Sequence, residues 1–175
     1  MSRASGTWRR TRPHRPGMRQ FKPIAGARAL LFDRLVDLHP ENKEERPFRI
    51  LTREELKASV KRELERLLNT RCSLPLNRIG EVERSVVNYG IPDFSSLSAQ
   101  SADDHALIAT IVRQTVSAFE PRLGQVRVDV GPIDNSQGVL WLDIEGVLEV
   151  DLFNEPVSFA LVLNSKSGAA EFNDS

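Results

Sequence analysis

The sequence predicts an α+β domain in which two main helices pack on a small three-stranded antiparallel sheet, with a disordered basic N-terminal tail. Three observations lead to this expectation. The apolar residues recur every three or four positions up to about residue 119 and every second position from residue 125 onward. Two segments begin with helix-capping patterns. The chain of 175 residues, 40% hydrophobic and 27% charged, has the length and composition of about one ordinary globular domain.

The first 28 residues form a basic tail. They contain eight Arg or Lys and no Asp or Glu, so the formal net charge of zero leaves the remainder of the chain at −8. With three prolines and few apolar residues, the segment cannot bury enough surface to offset the entropy of ordering, and disorder is expected. Such an arm could dock on an acidic protein surface or on nucleic acid, or it could be a solvated extension. It lacks the apolar core of a secretory signal.

Residues 29–45 are expected to form a short helix and a hinge. Leu31, Leu35 and Leu38 follow a helical spacing over about two turns, which is too short to be stable alone. A polar stretch with Pro40 follows. The main α+β domain is assigned to residues 46–165, and residues 166–175 are expected to be a flexible polar C-terminal end.

The first long helix begins after Thr52. Thr52 and Glu55 have the spacing of a capping box, in which each side chain satisfies a backbone N–H of the first turn. An apolar stripe then recurs at spacings of three and four, at Leu56, Val60, Leu64, Leu67 and Leu68. This pattern predicts a helix of about 17 residues with one buried face.

The second long helix begins after Ser101, following a loosely patterned stretch with one plausible helical turn near residues 81–88. Ser101 and Asp104 again resemble a capping box. The inner face is marked by Ile108, Ile111, Val112, Thr115, Val116 and Phe119. Pro121 is expected to end the helix, because the residue before a proline is pushed out of helical geometry.

The remaining segment predicts three strands. Val126, Val128 and Val130 alternate with polar residues in the first strand, and residues 131–138 are rich in turn formers. The second strand alternates around Leu140, Leu142 and Ile144, a break is expected at residues 154–156, and the third runs from Val157 to Leu163. A sheet this small leaves two edges that could accept a strand from another chain.

Residues suited to catalysis or metal binding are few. The single cysteine, Cys72, cannot form an intramolecular disulfide and is interpreted as a half-buried small residue. His14, His39 and His105 are scattered, without zinc-site spacing, a serine-centred elbow or a phosphate loop. We therefore expect no cofactor, no metal and no small-molecule substrate. No apolar run approaches the roughly 20 residues of a membrane span.

Three motifs occur in order at characteristic spacing. The first is a helix that ends in a leucine pair and an Asn69-Thr70-Arg71 turn. The second reads Ser85-Val86-Val87-Asn88-Tyr89-Gly90-Ile91-Pro92-Asp93-Phe94. The third is Phe119-Glu120-Pro121-Arg122-Leu123. Together these motifs resemble the TssE-type subunits of type VI secretion baseplates and the phage-tail baseplate proteins labelled "lysozyme-like", which share the Glu-Pro-Arg motif.

This resemblance implies a structural role in the bacterial cytoplasm, at the inner face of the cell envelope. The implied function is that of a baseplate wedge subunit that helps to start polymerisation of the contractile sheath. The implied partners are the baseplate proteins TssF, TssG and TssK and the sheath proteins TssB and TssC, without membrane insertion or nucleic acid. The residues expected to contact partners are Glu120, Pro121, Arg122, Tyr89, Pro92 and Phe94. For the last three, the alternative is a packed loop that anchors the two helices.

Glu120 has two possible roles other than a contact with a partner, and the tail has one possible role of its own. Glu120 and Arg122 could form an internal ion pair that staples the helix end instead of contacting a partner. Glu120 could also be the general acid of a peptidoglycan hydrolase, although that chemistry needs a second carboxylate at a fixed distance and a sugar cleft. The Arg-rich tail could make the protein a nucleic-acid-binding adaptor, which predicts strongly salt-dependent binding.

Overall fold

The computed structural model describes residues 51–134, 138–150, 153–164 and 167–172. The basic tail and the short helix and hinge predicted for residues 29–45 lie outside this part of the chain. The described elements are helices α1 (Arg53–Asn69) and α2 (Ala102–Phe119) and strands β1 (Leu123–Asp134), β2 (Val139–Val150), β3 (Phe153–Asn164) and β4 (Ala170–Phe172). The strands form one antiparallel sheet in the order β1-β2-β3-β4. The α+β class is confirmed, but the expectation of three strands is wrong.

The additional strand, β4, comes from the segment predicted to be a polar end. It pairs with residues 161–163 of β3 and is held from the other side by the amide of Asn69 at the end of α1. Asn69 Nδ2 donates to the carbonyl of Ala170, and the N–H of Ala170 donates to Asn69 Oδ1, both at 2.9 Å. Three residues are too few to show a period of two, so sequence alternation could not reveal this strand.

Strand β3 also begins earlier than its sequence pattern indicates. The break predicted at residues 154–156 lies inside the strand, where Pro156 pairs with Val147. β4 covers only residues 161–163, so the β3 backbone at Pro156 has a described strand neighbour on one side only. A proline is tolerated in such an edge position because its missing N–H takes no ladder hydrogen bond away.

Helix α1 begins as its sequence predicts. Thr52 Oγ1 accepts from the N–H of Glu55, and the Glu55 carboxylate accepts from the N–H of Thr52, so the capping box is complete. The predicted stripe is buried, with Leu56, Val60 and Leu64 fully shielded from solvent. Burying one such side chain stabilises the fold by about 1.5–3 kcal/mol, which makes this stripe a major part of the core.

Helix α2 has only half of the predicted capping box. Ser101 Oγ accepts from the N–H of Asp104, but the Asp104 carboxylate accepts from the N–H of Ser98 instead of Ser101. The second contact ties the preceding loop to the helix start. In that loop, the single turn expected near residues 81–88 is replaced by two short 3-10 turns, Leu76–Arg78 and Val86–Asn88.

The sheet has one covered and one uncovered face. Leu140, Leu142 and Ile144 of β2 are buried and join the two helices in one apolar core. The residues between them point to the opposite, outer face, where Trp141 is 41% exposed. Gly131 lies opposite Trp141, and a Cβ at Gly131 would stand 2.5 Å from the indole nitrogen. The indole therefore lies flat over the β1 backbone, which only a glycine permits at that point.

Candidate functional site: the end of the second helix and the loop beside it

The Glu-Pro-Arg motif lies where α2 gives way to β1, and its two charged side chains bind each other. Arg122 Nε donates to Glu120 Oε1 at 2.8 Å, and Arg122 Nη2 donates to Glu120 Oε2 at 2.6 Å. This is the two-pronged geometry that gives arginine–carboxylate pairs their strength and direction. Glu120 is only 3% exposed, so the ion pair is largely removed from water. The internal pair considered from the sequence is the arrangement found in the chain.

The same arginine connects the motif to α1. Arg122 Nη1 donates to Ser59 Oγ at 2.8 Å, and Ser59 is fully buried on α1. The backbone of the motif is tied down as well, because Arg122 accepts from the N–H of Glu149 on β2 at 2.8 Å. One side chain thus fixes α1, the end of α2 and the start of β1 relative to each other. Pro121, between the charged residues, is exposed.

Glu120 is poorly placed for the general-acid role considered from the sequence. A general acid must reach the leaving group of a substrate with a proton. Both Glu120 oxygens are engaged by Arg122, and the side chain is buried. Within the described residues, no three His, Cys, Asp or Glu side chains are grouped so that they could hold a metal ion. The arrangement is suited to holding three elements together.

Tyr89 lies beside the motif. Its ring meets the ring of Phe119, the last residue of α2, edge to face with centroids 5.1 Å apart. Burial raises the pKa of the Tyr89 phenol above its usual value, and the nearby carboxylates of Glu63 and Glu120 raise it further. The guanidinium of Arg84 covers the Phe119 ring at 5.1 Å from its centroid. The structure therefore places Tyr89 close to Glu120.

Pro92 and Phe94, the other two candidates, are buried. Phe94 is 1% exposed, and its ring is covered by the guanidinium of Arg71, 4.9 Å from the centroid. Arg71 also donates to the carbonyl of Gly168 at 2.5 Å, which ties this loop to the segment before β4. Pro92 and Phe94 thus anchor the loop inside the domain. A contact with a partner stays a prediction for these two residues, as it does for Glu120 and Arg122.

The loop between the two helices presents a rigid apolar tip that the sequence analysis missed. Val86 and Val87 are 89% and 87% exposed. The turn that carries them is closed by a second capping box, in which the N–H of Ser85 donates to Asn88 Oδ1 at 2.8 Å. Asn88 itself is buried. The sequence indicated only a plausible helical turn near residues 81–88, whereas the Ser85–Asn88 spacing was the available sign of the capped turn that carries the two valines.

Gly90 sets the direction in which the chain leaves this tip. Its φ of +108° lies in a region that side-chain-bearing residues rarely adopt, and an added Cβ would stand 2.4 Å from the carbonyl oxygen of Thr70. That carbonyl accepts the N–H of Ile91 at 2.9 Å. The glycine is needed both for the backbone angle and for the close approach of the loop to the end of α1.

The described helices include none that is long and apolar enough to cross a membrane. A comparison with curated proteins gives no match. The family model described as baseplate wedge protein gp25 matches residues 54–151. The matched region runs from the first turn of α1 through β2 and includes the Glu-Pro-Arg motif and the valine tip. The chain therefore belongs to the baseplate wedge protein gp25 family, a family of structural baseplate components that includes TssE.

Proposed function

We propose that this protein is the TssE-type subunit of a type VI secretion baseplate wedge, which links the wedge proteins to the contractile sheath and helps to start sheath polymerisation. The observation that carries the proposal is the family match over residues 54–151, which spans both helices and the first two strands. Its implied location is the bacterial cytoplasm, at the inner face of the cell envelope. The implied wedge partners are TssF, TssG and TssK.

The proposed contact with the wedge lies at the exposed part of the site. Val86 and Val87 stand out from the domain on a turn that is already ordered, so binding them costs little conformational entropy. Tyr89 is half-buried beside them, and Pro121 is the exposed member of its motif. In this proposal Glu120 and Arg122 act mainly as positioning residues, because their hydrogen bonds hold Pro121 and the helix end in place.

The proposed contact with the sheath proteins TssB and TssC is strand addition at an edge of the sheet. Such addition needs a run of backbone N–H and C=O groups without proline. The free edge of β1 provides the run Leu123 to Gly131 before Pro132, although a bulge between Gly124 and Arg127 interrupts its register. The free edge of β3 is limited by Pro156 on one side and by β4 on the other. The β1 edge is therefore the better template among the described strands.

The wedge contact can be tested by co-expression of the full chain with candidate TssF and TssG proteins. We expect a complex that survives size-exclusion chromatography, and we expect the double variant Val86→Ser and Val87→Ser to weaken it at least tenfold. Leu107→Ser is the matched control, since Leu107 is also an exposed apolar residue, on α2. Equal complex formation by the wild type and the valine variant would remove the valine tip from the interface.

The Glu-Pro-Arg motif needs a separate comparison. Pro121→Ala changes the exposed residue and leaves the ion pair in place, whereas Glu120→Ala and Arg122→Ala break the pair. Loss of binding in all three variants indicates direct contact through the motif. Loss of binding only when the pair is broken indicates a positioning role. Unaltered co-purification of Glu120→Ala and Arg122→Ala with both partners would refute any role of the motif in the interface.

A further inference from the structure

The outer face of the sheet is a surface of the domain that no described element covers. Both helices pack on the opposite face, against the buried residues of β2 and β3. We define the outer face by the residues of β1 and β2 that alternate with that buried set. They are Arg127, Asp129 and Gly131 on β1 and Trp141, Asp143, Glu145, Val147 and Glu149 on β2.

This face carries a marked excess of negative charge. It holds four carboxylates and one cation, Arg127. Asp129 stands directly opposite Asp143 in the β1–β2 register. Like charges in directly opposed positions destabilise a sheet, and a cation bound between them relieves that repulsion. Ser158 donates one hydrogen bond to Asp143, which leaves the charge of the carboxylate uncompensated.

An exposed aromatic ring lies on the same face as these carboxylates. Trp141 is two residues before Asp143 on the same face, and its ring lies over Gly131 with 41% of its surface exposed. A tryptophan face attracts guanidinium groups, which stack on it while their N–H groups reach carboxylates. A row of carboxylates beside an open indole is thus chemically suited to an arginine-rich chain in an extended conformation.

The chain itself contains such a segment. Residues 1–28 include seven Arg and one Lys without any Asp or Glu. The 22 residues from 29 to 50 join this tail to Leu51. A chain of that length spans at most roughly 75 Å, several times the roughly 14 Å radius of gyration of a domain of this size. Leu51 lies close to β3, since Arg53 pairs with Glu155. The tail can therefore reach the outer face of its own domain.

We propose that the basic segment 1–28 docks on the acidic outer face of the same chain, with arginines stacked on Trp141 and paired with Asp129, Asp143 and Glu145. The two surfaces carry opposite charge, with eight basic residues on the segment and an excess of three carboxylates on the face. The inference concerns the face of the sheet, not its edges, so it is independent of the proposed strand addition and of the wedge contact.

Paramagnetic relaxation in the full chain tests this docking. A nitroxide is attached to Ser5→Cys in a Cys72→Ser background, and the ¹⁵N signals of the domain are compared with the label oxidised and reduced. We expect the amide signals of Asp129 and Asp143 and the indole signal of Trp141 to lose roughly half of their intensity or more at low salt. The loss should disappear in 1 M salt, where the Debye length falls from about 10 Å to about 3 Å.

Two variants and a mixing experiment make the result specific. Asp129→Asn with Asp143→Asn removes two charges and also removes their mutual repulsion, so the fold is retained while the broadening should fall at least twofold. Glu65→Gln with Glu83→Gln is the matched control on exposed carboxylates elsewhere, and it should change nothing. Broadening spread evenly over the domain, or none at all, overturns the proposal. Equal broadening between a labelled unenriched chain and an unlabelled enriched one shows docking on a second copy and overturns docking within one chain.

Discussion

The buried ion pair between Glu120 and Arg122 should be a principal determinant of the stability of this domain. The informative perturbation is the set Glu120→Ala, Arg122→Ala and the double variant. Arg122→Ala removes two charged hydrogen bonds to Glu120, which is 3% exposed in the wild-type domain, and one hydrogen bond to Ser59. The carboxylate then keeps, from the motif, the backbone N–H of residue 122 as a donor at 3.2 Å.

The expected magnitude follows from this geometry. Removing one partner of a buried pair leaves an uncompensated charge and typically costs about 3–5 kcal/mol. A domain of this size has a total free energy of unfolding of about 5–15 kcal/mol, so each single variant should lose a large fraction of it. The double variant should cost less than the sum of the two single variants, because neither charge is left alone. Arg122→Lys should show a partial loss, since lysine cannot reproduce the two-pronged contact.

Urea unfolding followed by circular dichroism measures these free energies. The control is Arg78→Ala, because Arg78 and Glu81 form an exposed pair at 3.7 Å with side chains 60% and 69% accessible. Exposed pairs contribute about 0–1 kcal/mol, so this variant should unfold almost like the wild type. If Glu120→Ala and Arg122→Ala each lower the free energy of unfolding by less than about 1 kcal/mol, as Arg78→Ala should, the ion pair does not stabilise the junction of α2 and β1 as assigned.

Three further predictions concern other parts of the domain. Burial raises the pKa of Glu155, but the hydrogen bonds and positive charges of Lys57 and Arg53 on α1 together outweigh it and hold the pKa below its usual value. The ionised Glu155 therefore stabilises the domain above the ordinary carboxyl pKa, and this stability is lost as pH falls through the pKa of Glu155 in the folded domain. In urea unfolding, the difference in free energy of unfolding between the wild type and Glu155→Gln should shrink from about pH 6 to about pH 3. A difference that stays constant over this range contradicts the prediction. Gly90→Ala should destabilise the domain by more than about 2 kcal/mol in the same assay, because it forces a Cβ against the Thr70 carbonyl at positive φ, and a neutral effect would refute the close approach. The double variant Val86→Ser and Val87→Ser should weaken wedge binding but leave the melting temperature within about 2 °C of the wild type, because both side chains are exposed. A large drop in the melting temperature would show that the two valines pack in the fold.

The helices and the long strands could be predicted from sequence because their signals are local and repeated. The capping box at Thr52 and the stripe that follows it each constrain α1 independently, and both are present in the structure. The alternation at Leu140, Leu142 and Ile144 fixes which face of β2 is buried in the same way. Elements of this length carry enough turns or alternations for the pattern to exceed chance.

The missed elements depend on contacts between distant parts of the chain. β4 is three residues long and exists because Asn69, about a hundred residues earlier, provides hydrogen bonds to Ala170. Pro156 marks a break in most sequences, but here β3 is an edge at that point and tolerates it. The bulge with Gln125 at a φ of +52° is likewise invisible in the alternation of valines around it.

The candidate site was located from sequence, but the orientation of its side chains was not. The sequence placed Glu120 and Arg122 where α2 gives way to β1, but it did not indicate that Tyr89 lies beside them. Sequence could not tell that Phe94 points into the core while Val86 and Val87 point outward, since apolar residues in a loop have no period to assign their faces. Burial there is decided by Asn88 and Gly90, whose roles appear only when the loop is closed.

The assignment of this chain to a baseplate wedge as a structural subunit predicts a stable complex with wedge proteins. The most direct measurement is the mass of the particle that forms when the full chain is co-expressed with its candidate TssF and TssG partners, by size-exclusion chromatography with light scattering. We expect a single peak that contains all three proteins at a fixed ratio and loses this chain when Val86 and Val87 are changed to Ser. Elution of the wild-type chain on its own, apart from a TssF–TssG complex that forms without it, would contradict the assignment.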